Sequence, residues 1–400
     1  MFADSYLNKN NNEPIIQSDA EPGTAIIVVI PCFREPEIKQ TLESLKACRL
    51  PSCKVEVIVL INHSEIATPS VKEYNTATHA ELTCWIENNE IEGLKFYAPA
   101  PIELKKKWAG AGLARKKGMD EAVRRFNTLD TPDGIVVSLD ADTLVEQNYL
   151  VEIENYFQQN TKHVGATLAF EHQKEGLQPK QEEGILLYEK YLSYYKQSLD
   201  FTGYPYSLFT IGSAFAVRAL AYVKRGGMNR RQAGEDFYFL QNLVQMGRVG
   251  EINTTSVYPS ARLSDRVPFG TGPILQKWMN GEEDLTLSYN FQAFVDLKAL
   301  FDVKNSLFKI DETAFENALQ NLPASVAEFI RIDGFWPELE NLNKNCSTLQ
   351  TFQTRFYQTF NAFKILKYLN FAHETYFRKA NLEEQLLLLN TAVLTQSNIK

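Results

Sequence analysis

Two carboxylates separated by one residue, Asp140-Ala141-Asp142, close an apolar run that extends from Gly134 to Leu139. Paired at the tip of a buried strand, they form a hard oxygen site suited to Mg²⁺ or Mn²⁺. A cation there would neutralise the diphosphate of a departing nucleotide. The same spacing also arises by chance about once in a chain of this length, as an exposed acidic turn, so the strand context carries the weight. Glu235-Asp236 follow Gly234 at an apparent helix start, where the positive end of the macrodipole favours acids. The pair is either helix-terminal charge or a catalytic unit. In the second case Asp236 is the general base that takes the proton of an attacking hydroxyl, and Glu235 contacts the acceptor or orients Asp236.

Two further stretches are compatible with phosphate. Gly110-Ala111-Gly112-Leu113-Ala114-Arg115 opens a helix after Lys105-Lys106-Lys107, and such an N-terminus attracts anions. A solvated basic helix face is the plainer reading of the same lysines. Arg262, Asp265 and Arg266, ahead of Gly270-Thr271-Gly272, form either a loop that closes over a diphosphate or an ordinary surface loop with an ion pair. The five histidines lack the i, i+4 spacing of a helical metal site. Tyr188, Tyr191, Tyr194 and Tyr195 share one helix at spacings that mix two faces, as core residues or as a platform for a sugar ring.

The elements that must position these residues alternate between strand and helix. Ala25 to Ile30 and Val55 to Ile61 are continuous apolar runs, as in parallel strands covered on both faces. Ile38, Leu42 and Leu45 between them lie on a helical stripe, which completes a βαβ unit. Strands are further expected near 94–97, 134–139, 164–170, 214–217 and 249–252, with helices near 70–78, 109–126, 147–159, 182–199 and 235–246. From about Ile274 the strand signals stop. Phe315, Leu319 and Leu322, then Phe352, Phe356, Phe360 and Phe363, recur at helical spacing. The expected organisation is a flexible N-terminal segment at 1–23, an α/β domain at 24–273 and a helical C-terminal subdomain at 274–400.

Bulk properties narrow the function. Of 400 residues, 44% are apolar and 22% charged, an ordinary globular composition. The net charge of -8 argues against a general nucleic-acid binder, which needs basic surface for phosphates. Five cysteines without a C-x-x-C pair read as reduced thiols, which fits a cytoplasmic protein. No apolar run approaches the length that spans a bilayer, and residues 1–23 lack a secretory h-region, so only peripheral membrane contact is expected.

In order, Ile30-Pro31-Cys32-Phe33-Arg34-Glu35, Ala111-Gly112-Leu113-Ala114-Arg115, Asp140-Ala141-Asp142 and Gly234-Glu235-Asp236 resemble the family-2 inverting glycosyltransferases of GT-A fold, over roughly Thr24 to Gly272. The resemblance implies a mostly parallel sheet flanked by helices and a hexosyltransferase-like enzyme acting with inversion. It would draw on a UDP- or GDP-sugar and act on a glycan, a lipid-linked sugar or a small molecule, in a setting such as polysaccharide biosynthesis. By the same resemblance Glu35, with Pro31 of its motif, meets the nucleoside. Asp140 and Asp142 hold the metal and diphosphate, with Asp142 the more direct ligand, and Asp236 is the base. Arg115 assists nucleotide binding, with Lys116 where relatives carry asparagine. Asn62-His63-Ser64 replaces the family's aspartate-rich turn, so Asn62 is the candidate for the base edge. Tyr258 and Arg262 stand where some relatives have a metal-binding histidine. Two alternatives remain at this level: a non-catalytic sugar-nucleotide-binding protein, and a nucleotidyltransferase. The second is disfavoured because no glycine lies in Pro31 to Glu35.

Overall fold

An unbroken apolar run is stable only in a strand with helices on both faces, and Thr24–Cys32 is such a strand. The computed structural model describes residues 1–10, 13–232, 234–264 and 270–397. It divides into two compact units, Met1–Glu182 with Thr210–Lys277, and Glu183–Phe209 with Trp278–Lys400.

In chain order the first unit carries α1 (Asp4–Lys9), β1 (Thr24–Cys32), α2 (Ile38–Lys46), β2 (Lys54–Ser64), α3 (Pro69–Glu87), β3 (Leu94–Tyr97) and β4 (Ile102–Leu104). A 3₁₀ turn at Lys106–Trp108 leads into α4 (Ala111–Thr128), β5 (Ile135–Ser138), β6 (Leu144–Val145), α5 (Tyr149–Gln159), β7 (Gly165–Phe170) and the start of α6 (Pro179–Thr202). After the chain returns come β8 (Phe215–Arg218), α7 (Ala219–Arg225), α8 (Glu235–Leu243), β9 (Val249–Tyr258) and the start of α9 (Thr271–Asn280). The strand order is β3-β2-β1-β5-β8-β7-β9-β6, with β4 extending the edge of β2. The sheet is mostly parallel; β8 runs against β5 and β7, and β6 against β9.

Alternation along β1 sorts its neighbours. Ile26, Val28, Ile30 and Cys32 join Leu42 and Leu45 of α2, Leu82 of α3 and Ile153 and Phe157 of α5 in one core. The other face receives α4, and Gly118 makes that approach possible. A Cβ there would stand 2.4 Å from a methyl of Val29. Because α4 lies this close to β1, Arg115, about one turn earlier, reaches the carboxyl end of β5.

The N-terminal segment, expected to be flexible, is pinned to α4 over its described part. The Tyr6 hydroxyl donates to Asp120 at 2.6 Å and the backbone N–H of Ala3 to Asn127 at 2.8 Å. Lys116 donates to the Tyr6 oxygen at 2.8 Å and pairs with Asp120 at 2.9 Å. Burying that ion pair beneath α1 is what orders the segment; a polar composition gave no sign of it.

The second unit carries most of α6, then β10 (Leu287–Ser288), α10 (Phe291–Val303), α11 (Glu312–Gln320), α12 (Ala324–Asp333), α13 (Phe335–Lys344), α14 (Leu349–Thr359), α15 (Ala362–Thr375), β11 (Ala380–Asn381) and α16 (Leu382–Ser397). Its core is aromatic: Phe301, Phe335, Phe356 and Phe360 meet at ring distances of 5.6 to 6.3 Å. The Phe352-to-Phe363 stripe is split between two helices, because Asn361 caps α15 by accepting from the N–H groups of Phe363 and Lys364. Strands do occur beyond Ile274, as the two-residue ladder of β10 and β11, too short to leave an alternating pattern. The second unit also takes in 183–209, which the sequence reading had kept inside the α/β domain.

Candidate functional site

Arg115 is the hub. Its side chain is only 3% exposed, although it carries a full charge. The guanidinium donates to Asp140 at 2.8 Å, to Glu235 at 3.1 Å, to the Ser138 hydroxyl at 2.6 Å and to the Gly212 carbonyl at 3.1 Å. Burial opposes its charge, yet Asp140 and Glu235, with Asp236 beside them, hold its pKa above the ordinary arginine value. Gly212 must lack a side chain here. A Cβ would lie 2.8 Å from an Arg115 nitrogen and 3.4 Å from an Asp236 oxygen. The helix start at Glu235 and the turn after β5 are thus tied together by one buried cation.

Asp236 begins α8 beside this hub, with one oxygen accepting from the N–H of Phe237 at 2.7 Å. Burial pushes its carboxyl up to about 7, and the charge of Glu235 adds to the rise; Arg115 and the Phe237 N–H pull the other way. A carboxyl that titrates near neutrality is matched to accepting a proton there.

The Asp140-Ala141-Asp142 turn follows β5. Thr41 of α2 donates to the Ala141 carbonyl at 2.9 Å, and the Gln173 amide donates to the carbonyls of Asp142 and Tyr258. The acids themselves are partly exposed, Asp140 35% and Asp142 25%, and each stands beside an arginine, Asp140 beside Arg115 and Asp142 beside Arg262.

A second charged group lies next to this turn. Arg262 reaches Glu35 at 2.6 Å, Glu37 at 3.0 Å and Asp142 at 3.5 Å. Glu35 itself is buried and accepts the N–H of Glu37 at 3.0 Å. It gets there through Arg34, a non-glycine residue at φ 47° that turns the chain sharply at the end of β1. Pro31 lies beyond the last β1–β5 pair, Val29 with Ser138, so its missing N–H breaks no ladder bond between them. β1 and β5 cease to pair at that level, while β1 stays paired with β2.

Asn62 is at the carboxyl end of β2, its amide donating to the Cys32 carbonyl at 3.0 Å and that of Leu60 at 3.3 Å. Tyr258 turns away, its hydroxyl donating to Glu146 at 2.8 Å, so of the two residues considered for the missing histidine, Arg262 is the one that reaches Asp142. Asp265 and Arg266 lie outside the described residues.

No family model and no curated protein matches the chain. Among solved structures it is similar to residues 1–349 of TarS from S. aureus in complex with UDP-GlcNAc, at 11% identity and a TM-score of 0.42, covering 84% of this chain and 90% of that one. It is also similar to the mannosyltransferase PcManGT from Pyrobaculum calidifontis in complex with GDP-Man and Mn²⁺, at 14% identity and a TM-score of 0.36, covering 92% of each. At such scores the likeness decides nothing about chemistry, which has to be argued from the side chains.

The donor set fits a hard divalent cation. Among the described residues no three His, Cys, Asp or Glu converge as a complete metal cage. Asp140 and Asp142 supply partly exposed carboxylates. Mg²⁺ and Mn²⁺ suit such a site, since Mg²⁺ in particular takes one or two protein carboxylates and completes its shell with phosphate and water.

Several members of this site were missed from sequence. Arg115 was expected on the nucleotide, yet it is turned inward because three acids and a carbonyl enclose it. Ser138, a polar residue within an apolar strand run, was the legible clue to that inward position. Gly212, Thr41 and Gln173 act through backbone geometry and leave no motif. At the N-terminus of α4, Gly112 faces protein: the Arg231 carbonyl lies 2.1 Å from where its Cβ would be.

Proposed function

We propose that this chain is an inverting glycosyltransferase of the GT-A type, moving a hexose from a UDP- or GDP-sugar to an acceptor hydroxyl. The observation that carries the reading is Asp236. A carboxyl brought to about 7 stands next to Glu235, which Arg115 ties to Asp140 at the tip of β5.

In this reading Asp142, with Asp140, would hold a divalent cation, whose chemistry would be to offset charge on the leaving diphosphate. Glu35 and the Asn62 amide oxygen face the nucleoside, and Pro31 shapes the gap that admits it. Arg262 offers a guanidinium to the diphosphate. The acceptor O–H loses its proton to an Asp236 oxygen as its own oxygen attacks the anomeric carbon. The bond from that carbon to the diphosphate oxygen breaks on the opposite face, which inverts the centre. Arg115 positions: it fixes Glu235 and Asp140 and sets the charge that Asp236 feels.

The test is nucleotide release from a panel of UDP- and GDP-sugars with Mn²⁺, by wild type and by Asp236→Asn. Release by the wild type, reduced at least about a hundredfold in the variant, supports the reading. Pyrophosphate release from a nucleoside triphosphate would assign a nucleotidyltransferase instead. Donor binding with no turnover would assign a binding protein.

A further inference from the structure

Lys105, Lys106, Lys107, Arg230 and Arg231 are all exposed, and none forms an ion pair with a described residue. Acids outnumber bases in this chain, 49 to 41. A group of five cations is therefore a local feature that the overall charge conceals, with the Glu65 carboxylate beside it accepting the Lys106 backbone N–H at 2.8 Å.

Three of the five are held against aromatic rings. Trp108 lies between Lys107 at 5.3 Å and Arg230 at 5.4 Å, and packs onto Leu104, Leu113 and Ala114. Arg231 stacks on Tyr238 at 3.5 Å. The two loops that bear them touch through glycines: a Cβ on Gly110 would meet the Gln232 carbonyl at 2.8 Å, and one on Gly112 would meet that of Arg231 at 2.1 Å. Stacked guanidinium groups lose less freedom on meeting an anion than mobile ones do.

Position gives the group its meaning. The Arg230–Arg231 loop runs directly into Glu235-Asp236, and the Asn229 amide donates to the Glu235 carbonyl at 2.9 Å. The missing Gly112 side chain would lie 3.0 Å from the Glu235 Cβ. The basic surface is thus the rim of the proposed base, whereas the diphosphate is assigned to Asp142 and Arg262.

We infer that Lys105, Lys106, Lys107, Arg230 and Arg231 form the docking surface for a polyanionic acceptor chain, one that repeats negative charge along its length. The word acceptor rests on the glycosyltransferase reading above. Charge complementarity identifies the occupant, and five cations spread over two loops match a series of anions better than a single group. A bilayer is the poorer fit, since the indole of Trp108 is partly buried against Leu104, Leu113 and Ala114 and has two cations on its ring.

The probe is long-chain inorganic polyphosphate. Wild type should bind it with a steep salt dependence, and it should inhibit nucleotide release from the donor. The combined variant Lys105→Gln, Lys106→Gln, Lys107→Gln, Arg230→Gln, Arg231→Gln should bind at least about tenfold more weakly at low salt, with a shallower slope of log K on log salt. Its donor hydrolysis should persist and should escape the inhibition; a comparison at equal polyphosphate controls for metal sequestration. Arg230→Lys with Arg231→Lys should retain binding. Wild-type affinity or inhibition in the neutralised variant would overturn the inference, as would loss in the charge-preserving pair. Transfer of the dependence to phosphatidylglycerol vesicles, with polyphosphate unbound, would assign a membrane surface instead. If no nucleotide-sugar is hydrolysed yet polyphosphate binding still needs these side chains, the activity reading fails and the surface stands.

Discussion

Asp236 carries two opposing demands, and both are measurable. As a base it must be ionised, so transfer should rise with pH through about 7 and level off above it. For folding, the same shift has the opposite sign. A carboxyl raised from its ordinary 3.8 to about 7 stabilises the fold while protonated, and that contribution is lost as pH climbs between those values. Asp236→Asn removes the ionisation altogether. Its melting temperature should exceed that of wild type at pH 8 and approach it at pH 5, while transfer falls by at least about a hundredfold at pH 8, where the wild-type carboxylate is ionised. A stability gap that is widest at pH 5 would refute the assigned environment. Asp142→Ala makes a different prediction: cation-supported donor binding should weaken by at least about tenfold with the fold intact, because the Asp142 side chain is a quarter exposed and its ion pair with Arg262 is a long one, at 3.5 Å. Calorimetric titration with and without Mn²⁺ checks it.

Elements explain why some of this was legible and some was not. β1, β2 and β5 announced themselves because strands covered on both faces need unbroken apolar runs, and the acid pair could be placed at a strand tip on that basis alone. α1 was not announced. Six residues with one buried tyrosine have no helical period to detect, and their order comes from a distant ion pair on α4. Tyr6→Phe should therefore destabilise the protein by roughly 1–3 kcal/mol, since Asp120 and Lys116 each lose a buried hydrogen bond. A denaturant midpoint unchanged from wild type would show that the N-terminal helix is dispensable. From sequence, the small residues around Gly112 allow close backbone approach at a helix start, either for phosphate or beside a solvated basic face; in the fold the small size of Gly112 serves protein against protein. Gly112→Ala sets a methyl group against the Arg231 carbonyl, which is backbone and yields little. The expected loss is roughly 1–3 kcal/mol of stability. A fall in nucleotide release should accompany it, because the displaced loop leads into Glu235 and Asp236.

At the scale of the whole molecule, the proposed chemistry belongs to one unit and most of the aromatic packing to the other. Sequence periodicity marked the start of the helical region near Ile274, close to the boundary at Lys277, but missed that 183–209 belongs with it. The reason is continuity: α6 is one regular helix whose first residues lie in one unit and the rest in the other, and nothing in its pattern marks the crossing. Two cores with separate contents should respond to separate perturbations. Phe356 is fully buried among Phe301, Phe335 and Phe360, so Phe356→Ala should lower the stability of the helical unit by roughly 3–5 kcal/mol. Donor and Mn²⁺ at about a hundred times their dissociation constant should instead raise the α/β unit by about 2.7 kcal/mol. Scanning calorimetry should then show two transitions, one moved by the substitution and the other by the ligand. A single transition that follows both would mean that the two units unfold as one, and donor affinity would then fall with Phe356→Ala as the temperature approaches that transition.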